Sequence, residues 1–258
     1  MKLNTLKTLP VAAVAAMLLI VTACNNPGRA STKNSMKDTI PDRGFALLEL
    51  FTSEGCSSCP PADRLVARIQ NEAGSRPIYV LSEHVDYWDH LGWKDIFSQH
   101  EFSQRQYQYD RILKAQVYTP QLIINGKKEC LGSDEAAVNI AVKNAVETKT
   151  EVTLDLKARQ QGKEMEISYQ VNGNSPADKL LIALVQKHAV RNIGAGENIG
   201  RTLNHAQIVR SLFSFAISAD KGVEHITLPD EYNAGDYEII GFLQDQKTGE
   251  IAVAVRAG

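Results

Sequence analysis

FALLELFTSEGCSSCPPADR, residues 45–64, decides how the rest of the chain is read. Its apolar run, Phe45, Ala46, Leu47, Leu48, Leu50 and Phe51, has the composition of a buried strand. A short polar turn then delivers Cys56-Ser57-Ser58-Cys59. Leu65, Val66 and Ile69 follow at helical spacing, and Pro60 and Pro61 fall in the first turn, where a missing N–H costs little. A C-x-x-C pair between a strand and a helix has redox chemistry as its first reading. The thiolate is the reactive form of cysteine, and the unpaired N–H groups and dipole of a helix N-terminus stabilise it. Two intervening residues let the second sulfur reach the first. Cys56 is then the exposed nucleophile, and Cys59 the more buried, resolving thiol. Two other readings stay open. One is a purely structural disulfide. The other is half of a metal site, although a closed zinc site takes about four ligands and neither a second C-x-x-C nor a closely spaced His pair follows.

Upstream, residues 1–23 read as a signal peptide. Lys2 and Lys7 make a positive start, and Leu9–Val21 is an apolar stretch too short to span a bilayer comfortably. Val21-Thr22-Ala23-Cys24 resembles a bacterial lipobox, which implies cleavage before Cys24 and lipidation at that residue. A plain secretory signal with an incidental cysteine is the alternative. Residues 24–42 are polar and without apolar period, and read as a flexible tether. The expected location is therefore exported and lipid-anchored to a bacterial membrane, periplasm-facing or at the cell surface, where disulfides persist. Of the four cysteines, lipidation leaves Cys56, Cys59 and Cys130. The 258-residue chain carries a net charge of −2 with both signs interspersed, which excludes a basic nucleic-acid surface.

Downstream, Pro77-Ile78-Tyr79-Val80-Leu81 is a short buried strand, making a parallel strand–helix–strand unit. It runs into Ser82–Asp89. Carboxyl ends of strands in an open α/β sheet face the site, which places Glu83, His84, Asp86, Tyr87 and Trp88 near the dithiol. His84 or a neighbouring carboxylate would move protons, with Tyr87 and Trp88 as a substrate rim. The plainer reading is a loop in which Trp88 and Trp93 cover the core while the acids cap the next helix. His84 with Cys56 and Cys59 would also suit a soft metal such as copper. Ile96–Lys114 reads as a helix, and a strand opened by Thr119-Pro120 ends in the turn signal Asn125-Gly126. A second strand runs to Leu131. Ser133 caps a last helix, with Val138, Ile140, Ala141, Val142, Ala145 and Val146 on its buried face. Cys130 is either a small buried apolar residue or a third redox thiol.

From Glu151 strict alternation takes over: Val152–Leu156, Met165–Val171, and Tyr237–Gln244 with Ile251–Val255, with Leu180–Gln186 as a further strand. Successive alternating strands suggest a β-sandwich. Residues 189–210, with Gly194, Gly196 and Gly200 among Arg191, Glu197, Arg201 and His205, read as a long polar loop. Their spacing does not fit a nucleotide motif. Such a loop is expected to pack on the first domain or meet a partner. Glu197 and Arg201 are spaced to pair.

The order strand–helix–strand–helix–strand–hairpin–helix, with C-x-x-C at the first helix and Thr119-Pro120 at the later strand, is similar to the thioredoxin fold. The resemblance implies a cis peptide at Thr119-Pro120, with Pro120 shaping a groove and the Thr119 backbone pairing with bound polypeptide. LFTSEGCSSCPPAD, HVDYWDHLGWKD, YTPQLIINGK and GENIGRTLNH together resemble one exported bacterial thioredoxin-like family of unknown function, domain of unknown function 1223. The expected fold class is thus an α/β thioredoxin-like domain over residues 43–149, then a smaller all-β, sandwich-like domain over 150–258. The expected function is a membrane-tethered thiol–disulfide oxidoreductase. Cys56 attacks, Cys59 resolves, and Pro120, Thr119, His84, Tyr87 and Trp88 line the site. Its partners would be protein thiols or disulfides or a small thiol, with the membrane through Cys24 and no nucleic acid. No organic cofactor is needed. The other class of reading is a copper-handling or redox-inert, partner-binding lipoprotein.

Overall fold

The structure, a computed structural model, describes residues 44–258. The expected signal segment, the expected lipidation site Cys24 and the whole of the expected tether lie outside the described residues. β1 (Ala46–Thr52) is buried along its whole length. It runs parallel to β2 (Ile78–His84) on one side and antiparallel to β3 (Gln121–Ile124) on the other. β3 turns through Asn125-Gly126 into β4 (Lys128–Leu131). Alternate residues of β1 serve opposite faces, as the period of a strand requires. Leu48 and Leu50 pack under α1 (Pro60–Ala73) and α3 (Glu135–Glu147), while Phe45 and Leu47 face the core that includes Phe102 of α2 (His100–Leu113). Ile140, expected on the buried face of α3, is instead 63% exposed. The second helix begins at His100 rather than Ile96.

The chain then adds β5 (Thr153–Gln161), β6 (Glu164–Asn172), β7 (Lys179–Asn192), β8 (Thr202–Ala216), β9 (Lys221–Thr227), β10 (Tyr237–Gln244) and β11 (Ile251–Arg256). β5, β6 and β9 form a three-stranded antiparallel sheet. The other four do not form a separate layer. They extend the first sheet, giving a single eight-stranded order β11-β10-β7-β8-β2-β1-β3-β4. The join is the parallel contact of Ser82 in β2 with Ile208 in β8, fastened by Ser82 Oγ donating to the Ala206 carbonyl at 2.8 Å. The three-stranded sheet covers one face of the extension, with Leu154, Ile167 and Ile226 against Leu180, Ile182 and Ile239.

This overturns the expected fold class. The described residues are 43% strand against 20% helix and are built on one large mixed sheet, not an α/β thioredoxin-like fold followed by a sandwich. Strands from both halves share that sheet, so the hydrophobic core continues past residue 149. The β3–β4 turn adds a second join. A Cβ on Gly126 (φ 67°) would come 1.8 Å from the carbonyl oxygen of Gly249, so only glycine permits this backbone approach. The Ile251 N–H donates to the Asn125 carbonyl at 3.1 Å beside it.

On the α2 side of β1 and β2 lies a buried polar cluster. Arg105 Nε donates to Glu49 Oε1 at 2.6 Å and stands 3.6 Å from Glu83 Oε1. Tyr109 donates to Glu49 Oε2 at 2.5 Å, and Gln244 donates to Tyr109 at 2.8 Å. Both carboxyls are fully buried, yet neither Glu83 carboxyl oxygen has a partner in hydrogen-bonding geometry. Burial, then the neighbouring Glu49 charge, pushes the Glu83 carboxyl well above the usual carboxylate range. The folded protein therefore holds a proton there that the unfolded chain releases near pH 4.3. Stability falls by about 1.4 kcal/mol per pH unit as pH rises from that value to the folded one. Glu83→Gln keeps the shape and has no proton to lose. Its melting temperature relative to wild type should therefore be higher at pH 8 than at pH 5; an equal difference at both would remove Glu83 as the source.

Candidate functional site

β1 ends at Thr52, and the chain turns through Ser53–Gly55. The Cys56 N–H donates to the Ser53 carbonyl at 3.1 Å, and the Gly55 N–H to Ser53 Oγ at 3.0 Å. Cys59 occupies the N-cap of α1 and supplies no side-chain cap. Its carbonyl accepts from Ala62 and Asp63 N–H at 2.9 and 3.1 Å. Cys56 and Cys59 are joined in a disulfide with Cα atoms 5.4 Å apart. Both are fully buried. The expected contrast between an exposed Cys56 and a buried Cys59 is therefore absent. The reason is local cover. The Ser58 hydroxyl lies 3.3 Å from Cys56 Sγ and donates to the Thr119 carbonyl at 3.3 Å. Thr119-Pro120 is cis, Thr119 Oγ1 accepts from Trp88 Nε1 at 2.9 Å, and Trp88 packs against Gly55.

The turn is also held from the C-terminal half of the chain. β7 and β8 do not stop where alternation fades but continue as a long hairpin arm, with Asn192 opposite Thr202. The expected polar loop 189–210 is thus mostly paired strand, and only its tip, residues 193–201, is loop. Glycines at φ 73° (Gly196) and 76° (Gly200) make the tip's turns. Asn198 is fully buried there, donating through Nδ2 to the carbonyls of Glu54 at 2.8 Å and Cys56 at 2.9 Å. Its own Oδ1 accepts from Arg201 at 2.9 Å. Glu197 turns not to Arg201 but to Ser57, whose N–H donates to it at 3.1 Å; the Ser57 hydroxyl first, and that N–H second, hold its carboxyl below the usual range.

Adjoining the turn is a buried titratable network. His84, at the end of β2, bonds through Nδ1 to Asp95 Oδ2 at 2.6 Å, and that oxygen also accepts from the Glu54 N–H at 2.8 Å. Burial lowers the His84 pKa, but the Asp95 carboxylate more than offsets it and the pKa is raised. Asp95 stays low despite burial because of the same pairing and two backbone N–H donors. Glu54 accepts from Trp93 Nε1 at 2.7 Å and Arg191 Nε at 3.2 Å, with His205 Nε2 at 3.3 Å and not aligned to bond. The His84 and His205 rings meet edge to face at 5.1 Å, and His84 Nε2 has no partner. Asp63, four residues after Cys59 on α1, accepts from Thr52 Oγ1 at 2.9 Å. Burial raises its pKa, against the pull of the two histidines.

The structure thus brings Cys56, Cys59, Thr119, Pro120 and Trp88 together. It turns His84 inward rather than toward a rim, while the Tyr87 hydroxyl donates to Gln106 Oε1 at 3.1 Å and stays beside the Thr119 side chain. Cys130 is buried, and burial pushes its thiol up to about 11. Among the described residues no group of three or more His, Cys, Asp or Glu is set to hold a metal ion. The two thiols of the copper reading are bonded to each other. Sequence reasoning did not single out Glu54, Asp63, Asp95 or Asn198. The available signal was their place inside the same short motifs, where acids and amides interrupt apolar or glycine-rich runs.

The family model described as "Protein of unknown function (DUF1223)" matches residues 47–244. No curated protein matches the chain. The chain is similar to a crystal structure of an Agrobacterium tumefaciens protein, with a TM-score of 0.65 and 26% identity over 82% of this chain and 93% of that one. It is slightly similar to a domain of the outer membrane lipoprotein Omp28 from Porphyromonas gingivalis, with a TM-score of 0.27 and 12% identity over 42% of this chain and 87% of that one.

Proposed function

This chain belongs to the DUF1223 family of proteins of unknown function, and from that starting point we propose that it is a thiol–disulfide oxidoreductase working through Cys56 and Cys59. The observation that carries the reading is a disulfide spanning two residues at a helix N-cap, where a thiolate can be stabilised once the bond opens. In one direction a substrate thiolate attacks Cys56 Sγ, the Cys56–Cys59 bond breaks, and Cys59 leaves as a thiolate that takes up a proton. A second substrate thiolate then attacks the substrate sulfur of the mixed disulfide and releases Cys56. The protein gains two electrons and the substrate dithiol becomes a disulfide. The reverse sequence reduces a substrate disulfide. The proposal includes export and a lipid anchor at Cys24, since an oxidising compartment is where such a bond persists.

A second reading, a structural staple, is favoured by the complete burial of both sulfurs. The redox equilibrium separates the two. Full-length protein in detergent is equilibrated in glutathione buffers, and Cys56 and Cys59 are followed by alkylation and peptide mass spectrometry. A reversible couple between about −120 and −270 mV is expected of an exchanging dithiol. A bond that resists reduction below about −300 mV would make it a staple.

A further inference from the structure

The tip of the β7–β8 arm reaches the dithiol turn with two side chains whose bonds there are specific, and nothing in the exchange chemistry above uses them. Asn198 spends its whole amide on the contact: both donor bonds go to turn carbonyls, and its oxygen is fixed by Arg201. The tip itself is closed by Gly200 N–H donating to the Ile193 carbonyl at 2.9 Å and Ile193 N–H donating to the Arg201 carbonyl at 3.0 Å. Gly196 lies against Trp93, whose indole N–H is bonded to Glu54. The tip, the turn and the buried network are one hydrogen-bonded unit.

N–H groups at the turn are scarce. Pro60 and Pro61 bring none to the start of α1, and the Cys59 N–H is spent on the Cys56 carbonyl at 3.3 Å. Ser57 N–H, the donor next to Cys56 in the chain, is given to the Glu197 carboxylate. A Cys56 thiolate would be stabilised by amide donors and destabilised by a nearby negative charge. Glu197 takes the donor and adds the charge.

Resting on the oxidoreductase reading, we infer that Asn198 and Glu197 are positioning residues for Cys56. Asn198 holds the turn under cover, and Glu197 works against formation of the Cys56 thiolate, so that the arm sets both the access and the redox poise of the pair. An incoming thiol reaches Cys56 Sγ only when the tip and Ser58 give way. A polypeptide substrate offering a carboxylate or carbonyl to Ser57 N–H and an amide donor to the turn carbonyls would replace the tip's own bonds.

The test uses full-length wild type, Glu197→Gln and Asn198→Ala. For Glu197→Gln the pH midpoint of Cys56 alkylation in the reduced protein falls. At pH 7 the equilibrium with glutathione shifts toward the dithiol by about two- to fivefold, the size of one charge at a helix terminus. For Asn198→Ala cleavage of the disulfide by excess dithiothreitol speeds up by about tenfold, as expected from losing two neutral hydrogen bonds. Glu197 is exposed, so its variant reports even if Asn198→Ala folds poorly. Wild-type values for both variants in all three readings would overturn the inference, as would a raised midpoint in Glu197→Gln. Failure of the oxidoreductase reading looks different: the wild-type disulfide then resists glutathione buffers altogether, while the dithiothreitol rate still reports on Asn198.

Discussion

Replacing Arg105 by methionine should cost about 3–5 kcal/mol of stability, the range for removing one partner of a buried ion pair. Glu49 is fully buried, and Arg105 is the cation that bonds it. Methionine fills much of the volume but leaves the Glu49 carboxylate facing Glu83 and the Tyr109 hydroxyl. For a chain of this size the loss corresponds to a melting-temperature drop of roughly 6–20 °C. Arg105 also bonds Gln244 Oε1 at 3.1 Å, so β10 loosens with it. Denaturant unfolding of Arg105→Met, Glu49→Leu and the double variant apportions the effect. The double variant should recover a large share, because most of the cost is an uncompensated charge rather than a lost attraction. A single-variant cost under about 1 kcal/mol would show that the carboxylate finds protons or water elsewhere.

The second large effect concerns the two cysteines taken separately. Cys59→Ser leaves Cys56 able to form a mixed disulfide but removes the thiol that resolves it. The free Cys56 thiolate attacks a substrate disulfide and releases one substrate thiolate, so mixed-disulfide adducts should accumulate on Cys56 and survive until a reductant is added. Cys56→Ser should form none, and exchange activity should fall to background in both variants. Non-reducing electrophoresis with peptide mass spectrometry reads the result. Equal adduct levels on Cys56 and Cys59 in the two variants would leave no division of labour between them. Full activity in Cys56→Ser would remove the dithiol from the function.

The local grammar of this chain was legible because it depends on neighbours in sequence. The apolar run of β1, the prolines opening α1 and the Asn125-Gly126 turn each report on a few adjacent residues, and each stands where expected. The join between halves was not legible. It rests on one parallel contact between Ser82 and Ile208, and no periodicity in either strand announces a partner so far along the chain. The stretch after Gln186 failed for a related reason. Its polar residues look like loop because this part of the arm is less buried, so the apolar alternation that marks a strand is lost while pairing with β8 continues. At the site, the cysteines and Thr119-Pro120 were visible as motifs. Asp63, Asp95 and Asn198 were not, because their roles come from burial and from bonds across the fold.

The reach of the β7–β8 arm also imposes an order of events on biosynthesis. Asn198 meets the dithiol turn across 142 and 144 positions of sequence, whereas the two sulfurs are separated by three. A chain that emerges N-terminus first presents its C-x-x-C segment long before residue 198 exists. The arm's share of the cover can arrive only after residue 198 has emerged, so the pair can meet oxidants before the arm closes over the turn.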